Sequence, residues 1–120
     1  MPSELIPDDL TDTPRTTRKR ILVADDREDN RYFLQVLLEG NGFLVTGVSS
    51  GEEALEKLRS EPFDAVISDI LMPGMDGFIL CRTIKEDPDI ADIPFIFYSA
   101  SYTEEKDRLF VLSLGADEYI

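Results

Sequence analysis

The sequence predicts an α/β fold in which helices cover both faces of a parallel, doubly wound sheet. Short apolar runs alternate with segments of helical periodicity, and the connections between them are short. Three of the runs, 21–24, 65–68 and 94–100, are continuously apolar, which is typical of strands buried on both faces. A chain of 120 residues suits one domain with one modest core.

The first helix is predicted at 29–40, after the strand at 21–24. Its apolar residues recur at helical spacing, with Phe33, Val36 and Leu37 on one face. A glycine close to the end of the segment is typical of a helix C-terminus. Residues 1–19 show no clear periodicity, and we expect them to form a flexible tail before the domain.

The second helix is predicted at 50–58, after a strand at 43–48. Ser50 and Glu53 have the spacing of a capping box, in which each side chain bonds a backbone N–H near the helix start. The helix is expected to bury Ala54, Leu55 and Leu58.

The third strand, 65–68, leads into a sharp turn and a helix at 77–86. Asp76 and Gly77 are interpreted as turn and helix-start residues. Cys81 lies on the apolar face of the helix and is predicted to be inert packing. The remaining elements are predicted as a strand at 94–100, a helix at 103–115 that begins after Thr103, and a strand at 116–120.

Composition excludes several functions. The net charge is -13, from 25 acidic and 12 basic residues, so a phosphate backbone would repel the chain and direct nucleic-acid binding is not expected. Because there is no histidine, a histidine triad, a histidine metal site and a phosphohistidine carrier are excluded within these residues. A single cysteine excludes an internal disulfide.

No apolar run is long enough for a signal peptide or a membrane span, so we expect a cytoplasmic location.

Polar side chains stand where three apolar strands end. Asp25 and Asp26 follow the first strand, Asp69 follows the third, and Ser99 lies at the end of the fourth. Ligands bind beyond the carboxyl ends of the strands in such sheets. If the first and third strands are neighbours, three carboxylates converge there, and they need a proton or a cation among them. Oxygen ligands alone suit Mg²⁺ or Mn²⁺, which suggests phosphoryl chemistry with Asp69 as the nucleophile.

Four segments together resemble the receiver domain of two-component response regulators. They are "ILVADD", "DAVISDILMPGMDG", "PFIFYSA" and "LGADEYI", and the resemblance covers about 20–120. It implies a flavodoxin-like five-stranded sheet in the order 2-1-3-4-5. It also implies a signalling domain rather than an enzyme with its own substrate, one that accepts a phosphoryl group from a partner phosphohistidine.

The resemblance also implies roles for individual residues. Asp69 matches the phospho-acceptor. The metal ligands would be Asp26, Asp25 through water, Asp69 and the backbone carbonyl of Leu71. Ser99 and Ala100 match the hydroxyl that bonds the phosphoryl group and the small residue beside it, and Tyr119 matches the aromatic switch residue.

One part of the family pattern is absent. The family's lysine would fall two residues past Ile120, and the rest of the fifth strand and the fifth helix would follow it. We therefore expect the 120 residues to be part of a longer protein, with an output domain as one possibility for the continuation.

Two other readings stay open at this point. One is an interaction module on the same fold that never carries phosphate. The other is a phosphatase with an aspartate nucleophile, but such an enzyme is expected to carry a second aspartate where Leu71 stands. The expected partner of the receiver is a histidine kinase or a histidine phosphotransfer protein. A homodimer through the fourth helix and fifth strand is a further hypothesis.

Overall fold

The computed structural model describes residues 18–98 and 117–119. The elements are, in chain order, β1 (Arg20–Ala24), α1 (Glu28–Glu39), β2 (Leu44–Val48), α2 (Gly51–Ser60), β3 (Ala65–Asp69), α3 (Gly77–Lys85), β4 (Phe95–Tyr98) and β5 (Glu118–Tyr119). The predicted helix at 103–115 lies outside the described residues, as do Ser99 and Ala100.

The five strands form one parallel sheet in the order β2-β1-β3-β4-β5. Ile21 of β1 pairs with Val45 of β2 on one side and with Ala65 of β3 on the other. The chain therefore leaves β1 toward one edge of the sheet and returns through β3 on the opposite side. This reversal is the switch point of a doubly wound sheet, and the predicted fold class is confirmed.

Apolar side chains on the two faces of the sheet form two separate clusters. The larger cluster packs α2 and α3 against the sheet, and it includes Leu22, Val66, Phe95 and Phe97. The smaller cluster packs Leu34 of α1 against β1 and β3. Burial of apolar area on both faces is the main favourable term that holds the layers together.

The starts of α2 and α3 follow the predicted capping chemistry. Ser50 accepts a hydrogen bond from the Glu53 N–H at 3.1 Å, and the Glu53 carboxylate accepts from the N–H of Ser49, one residue before the N-cap, at 2.9 Å. Asp76 accepts from the Ile79 N–H at 2.9 Å. Each cap satisfies a backbone donor that has no partner inside its helix.

The buried residues Ala54, Leu55 and Leu58 of α2 match the prediction, and Cys81 of α3 is buried as predicted. Leu80 of α3 is also buried, which was not predicted from the sequence. Burial raises the pKa of the Cys81 thiol to about 11, so the thiolate form is scarce at neutral pH.

The apolar face predicted for α1 is largely exposed. Phe33, Val36 and Leu37 are 61%, 51% and 49% exposed, and Tyr32 is 69% exposed. Leu34 is the buried residue of this helix. Apolar residues cover so much of α1 that periodicity alone does not single out the face that meets the sheet.

Lys85 ties the end of α3 to the start of β5. Its ammonium donates to the carbonyls of Ala91 and Ile93 and to the Asp117 carboxylate, at 3.1–3.2 Å. The same carboxylate accepts the Phe95 N–H at 2.7 Å, and the Asp117 N–H donates to the Phe95 carbonyl at 2.8 Å. These contacts hold β5 in register with β4.

Within the described part of the chain, no helix has the length and apolar character needed to cross a membrane.

Candidate metal and phosphoryl-acceptor site

Three carboxylates meet at the carboxyl ends of β1 and β3. Ala24 pairs with Ser68, so Asp25 and Asp26 follow β1 beside Asp69, the last residue of β3. One carboxylate oxygen from each lies within 4.8 Å of the other two. The structure thus brings together the three acids that the sequence placed at neighbouring strand ends.

Asp25 is the most deeply buried of the three acids, with none of its surface exposed. Its backbone N–H donates to the Val48 carbonyl at 3.1 Å, which fixes it against β2. Its Oδ1 accepts the Arg27 N–H at 2.9 Å. Among the described residues, its Oδ2 has no hydrogen-bond partner, which is rare for a buried oxygen.

The Asp69 carboxylate is half-buried and is held by the loop that follows it. Its Oδ1 accepts the Ile70 N–H at 2.8 Å, and the Leu71 N–H also bonds this carboxylate. The buried Ser68 hydroxyl donates to the Asp69 carbonyl at 2.8 Å. These bonds leave the side chain at the strand tip with a defined orientation.

Burial and mutual repulsion disfavour the charged forms of this cluster. The pKa of Asp69 is raised above its ordinary value by burial and by the Asp25 carboxylate, against the two loop N–H groups. The pKa of Asp25 is also raised, chiefly by burial and less by Asp26. A cation among the carboxylates would offset both effects.

The cluster fits a hard divalent cation. It offers oxygen ligands only, and Asp25 Oδ2 is a buried acceptor without a partner among the described residues. Mg²⁺ favours this ligand chemistry and usually keeps several waters while one or two carboxylates hold it. Leu71, whose carbonyl was the fourth expected ligand, is 53% exposed in the loop after Asp69.

The loop between β3 and α3 is closed by backbone contacts. The Gly77 N–H donates to the Ile70 carbonyl at 2.8 Å. A Cβ at Gly77 would overlap the Asp69 carbonyl and lie 3.0 Å from the Ile70 Cα, so only glycine fits here. Gly74 has a φ of 74°, which gives the loop its sharp turn.

Sequence reasoning missed the contribution of Arg31. Its guanidinium donates to the Asp25 carbonyl at 2.7 Å, and its positive charge lowers the Asp25 pKa in part. An arginine one helical turn beyond the N-terminus of α1, close to an acidic pair, is the signal that could have identified it.

The predicted switch residues are placed only in part. Ser99 and Ala100 lie outside the described residues. Tyr119 is in β5, where its backbone pairs with Phe97 of β4.

The family model for the response regulator receiver domain matches residues 21–120. The chain belongs to the response regulator receiver family. Among curated proteins, it is 38% identical over 102 residues to the transcriptional regulatory protein GltR of Pseudomonas aeruginosa, across 85% of this chain and 42% of that protein. The chain spans about two fifths of the length of the transcriptional regulators it matches, 39% and 42% for two of them.

Solved receiver structures have the same fold. The N-terminal domain of a response regulator receiver protein from Methanoculleus marisnigri superposes with a TM-score of 0.77 at 34% identity, covering 84% of this chain and 81% of that one. The response regulator TrrA from Thermotoga maritima, solved in complex with Mg²⁺-BeF, gives 0.71 at 35% identity, covering 85% and 84%. Both agree with the receiver fold seen here.

Proposed function

We propose that this receiver domain takes a phosphoryl group from a partner phosphohistidine onto Asp69 and thereby changes the surface it presents to its partners. The domain would comprise residues 20–120, with 1–19 as a tail. The proposal rests on one observation: at the switch point of the sheet, a carboxylate oxygen of each of Asp25, Asp26 and Asp69 lies within 4.8 Å of the other two.

The chemistry follows from the position of Asp69. A carboxylate oxygen of Asp69 attacks phosphorus, the phosphorus–nitrogen bond breaks, and the imidazole of the partner leaves with a proton. The Ile70 and Leu71 N–H groups orient the attacking carboxylate. Bound Mg²⁺ would neutralise charge on the transferring group.

The remaining carboxylates would hold the metal ion. Asp25 is fixed by bonds to Val48, Arg27 and Arg31, and it can aim Oδ2 at a cation without moving. Asp26 is exposed and can turn toward the same ion. The TrrA complex with Mg²⁺-BeF supports this ligand class for a related receiver.

The proposed signal is a change in packing near β5. The added dianion would draw Ser99 inward beside Ala100 and allow Tyr119 to turn, which would bias the neighbouring surface between two arrangements. A histidine kinase or phosphotransfer protein would be the donor. An output domain would read the change, since the curated relatives are transcriptional regulators more than twice as long as this chain.

The test is intact mass after incubation with Mg²⁺ and acetyl phosphate. Wild type should gain one phosphoryl group, and Asp69→Asn should gain none. Asp92→Asn should behave as wild type, because Asp92 is exposed and precedes β4, at the amino ends of the parallel strands and opposite the cluster. If wild type binds Mg²⁺ but no adduct forms, either on these residues or on a version extended through the family's lysine and fifth helix, the domain is an interaction module instead.

A further inference from the structure

A glycine at the start of α2 contacts a methionine of the loop after Asp69. A Cβ on Gly51 would lie 2.9 Å from the Cγ and Sδ of Met75 and 3.0 Å from its Cβ. Gly51 is buried, and Met75 packs against the larger apolar cluster. The stem of Met75, and not only its flexible end, therefore occupies the space where any other residue at 51 would place its side chain.

The two partners of this contact are fixed to different halves of the acidic cluster. Gly51 follows β2 after two residues, and the last residue of β2, Val48, accepts the Asp25 N–H. Met75 belongs to the loop that the Ile70–Gly77 hydrogen bond closes. The first N–H groups of that loop hold the Asp69 carboxylate.

We infer that the Gly51–Met75 contact sets the distance between Asp25 and Asp69, and that both residues are positioning residues for the metal site. Displacement of Met75 would move the closed loop as a unit, because its two ends are joined. The Ile70 and Leu71 N–H groups would then shift, and the Asp69 carboxylate with them. The inference deepens the proposed function and rests on it.

Helix propensity and the Gly51–Met75 contact predict opposite effects of a Gly51→Ala change. Alanine is a better helix former than glycine, so Gly51→Ala should favour α2 if nothing resists the added methyl group. If the contact positions the metal site, the same change should weaken Mg²⁺ binding by about 10-fold, the lower end of the cost of disturbing hydrogen bonds that orient a metal ligand, here those from the Ile70 and Leu71 N–H groups.

The experiment measures Mg²⁺ affinity by calorimetry for wild type, Gly51→Ala, Met75→Ala and the double variant. Melting without metal, measured in parallel, shows that each variant is folded. We expect Gly51→Ala to bind about 10-fold more weakly than wild type. The double variant should recover at least half of that loss on a logarithmic scale, because Met75→Ala removes the Cγ and Sδ atoms that meet the new methyl group.

Gly47→Ala is the matched control. Gly47 is exposed in β2, and the nearest atom to a Cβ there is the Arg31 Cδ at 3.6 Å, an ordinary contact. Its Mg²⁺ affinity should equal that of wild type.

Two outcomes would overturn the inference. Gly51→Ala could bind Mg²⁺ as tightly as wild type, which together with a lower melting temperature would show a structural role only. Alternatively, the double variant could bind Mg²⁺ no better than Gly51→Ala. If wild type itself binds no Mg²⁺, the proposed function fails first and the inference with it, and the wild-type titration alone reveals this.

Discussion

Replacement of Gly77 by alanine tests how closely α3 approaches the acceptor strand. The new Cβ would overlap the Asp69 carbonyl and lie 3.0 Å from both the Ile70 Cα and the Phe97 Cε1. Two of these three neighbours are backbone atoms, so no side-chain rotation relieves the overlap. Phe97 is held by edge contacts to Phe95 and Phe78, with ring centroids 5.0 and 5.6 Å away.

The expected cost follows from overpacking. Insertion of a methyl group into a filled core costs about 1–3 kcal/mol. In a domain of this size, a loss of about 2 kcal/mol lowers the melting temperature by roughly 8–16 °C. Helix propensity alone predicts the opposite sign, a gain of about 0.5–1 kcal/mol for alanine over glycine.

Thermal unfolding followed by circular dichroism measures the difference. Gly47→Ala is the control, because its Cβ would have 3.6 Å of clearance, so this variant should melt at or slightly above the wild-type temperature. A Gly77→Ala protein that melts at or above the wild-type temperature would refute the reasoning, because the new Cβ would then fit beside the Asp69 carbonyl without overlap.

Three further results are expected. Mg²⁺ at about 100 times its dissociation constant should raise the free energy of unfolding by about 2.7 kcal/mol, and Asp25→Asn should abolish the increase in a thermal shift assay. Because the pKa of Asp69 is raised in the folded state, ionisation of Asp69 lowers stability as the pH rises through that pKa. Without metal, Asp69→Asn should therefore be more stable than wild type at pH 7. Melting curves from pH 3 to 8 should show this advantage disappear below the pKa of Asp69 in the unfolded state. Lys85→Met should lower stability by about 1–3 kcal/mol in urea, since two loop carbonyls and Asp117 lose their donor; equal midpoints for variant and wild type would contradict this.

The sequence predicted the fold and the acidic cluster because both depend on simple geometry. Parallel strands end at the same edge, so acids placed directly after β1 and β3 must meet if those strands are neighbours. The caps at Ser50 and Asp76 were also predictable, because they depend on residues three positions apart.

Other features depend on tertiary contacts that leave no local pattern. Periodicity placed Phe33, Val36 and Leu37 on one apolar face of α1, but Leu34 is the residue that packs against the sheet, because apolar side chains surround most of the helix. Arg31 of α1 donates to the Asp25 carbonyl after β1, and Met75 of the loop after β3 packs against Gly51 of α2. Both contacts join residues from different elements. Such contacts appear only when the layers are assembled.

The exposed apolar side chains of α1 make the colloidal behaviour of the protein depend on its charge. Tyr32, Phe33, Val36 and Leu37 form a water-facing stripe that would favour contact between copies. At neutral pH, a formal charge of -13 keeps the copies apart. The net charge falls to zero near the isoelectric point of about 4.2, and salt at about 1 M confines the field of the charges to roughly 3 Å. Dilute neutral buffer should therefore disfavour association through α1, while a pH near the isoelectric point or concentrated salt should promote it.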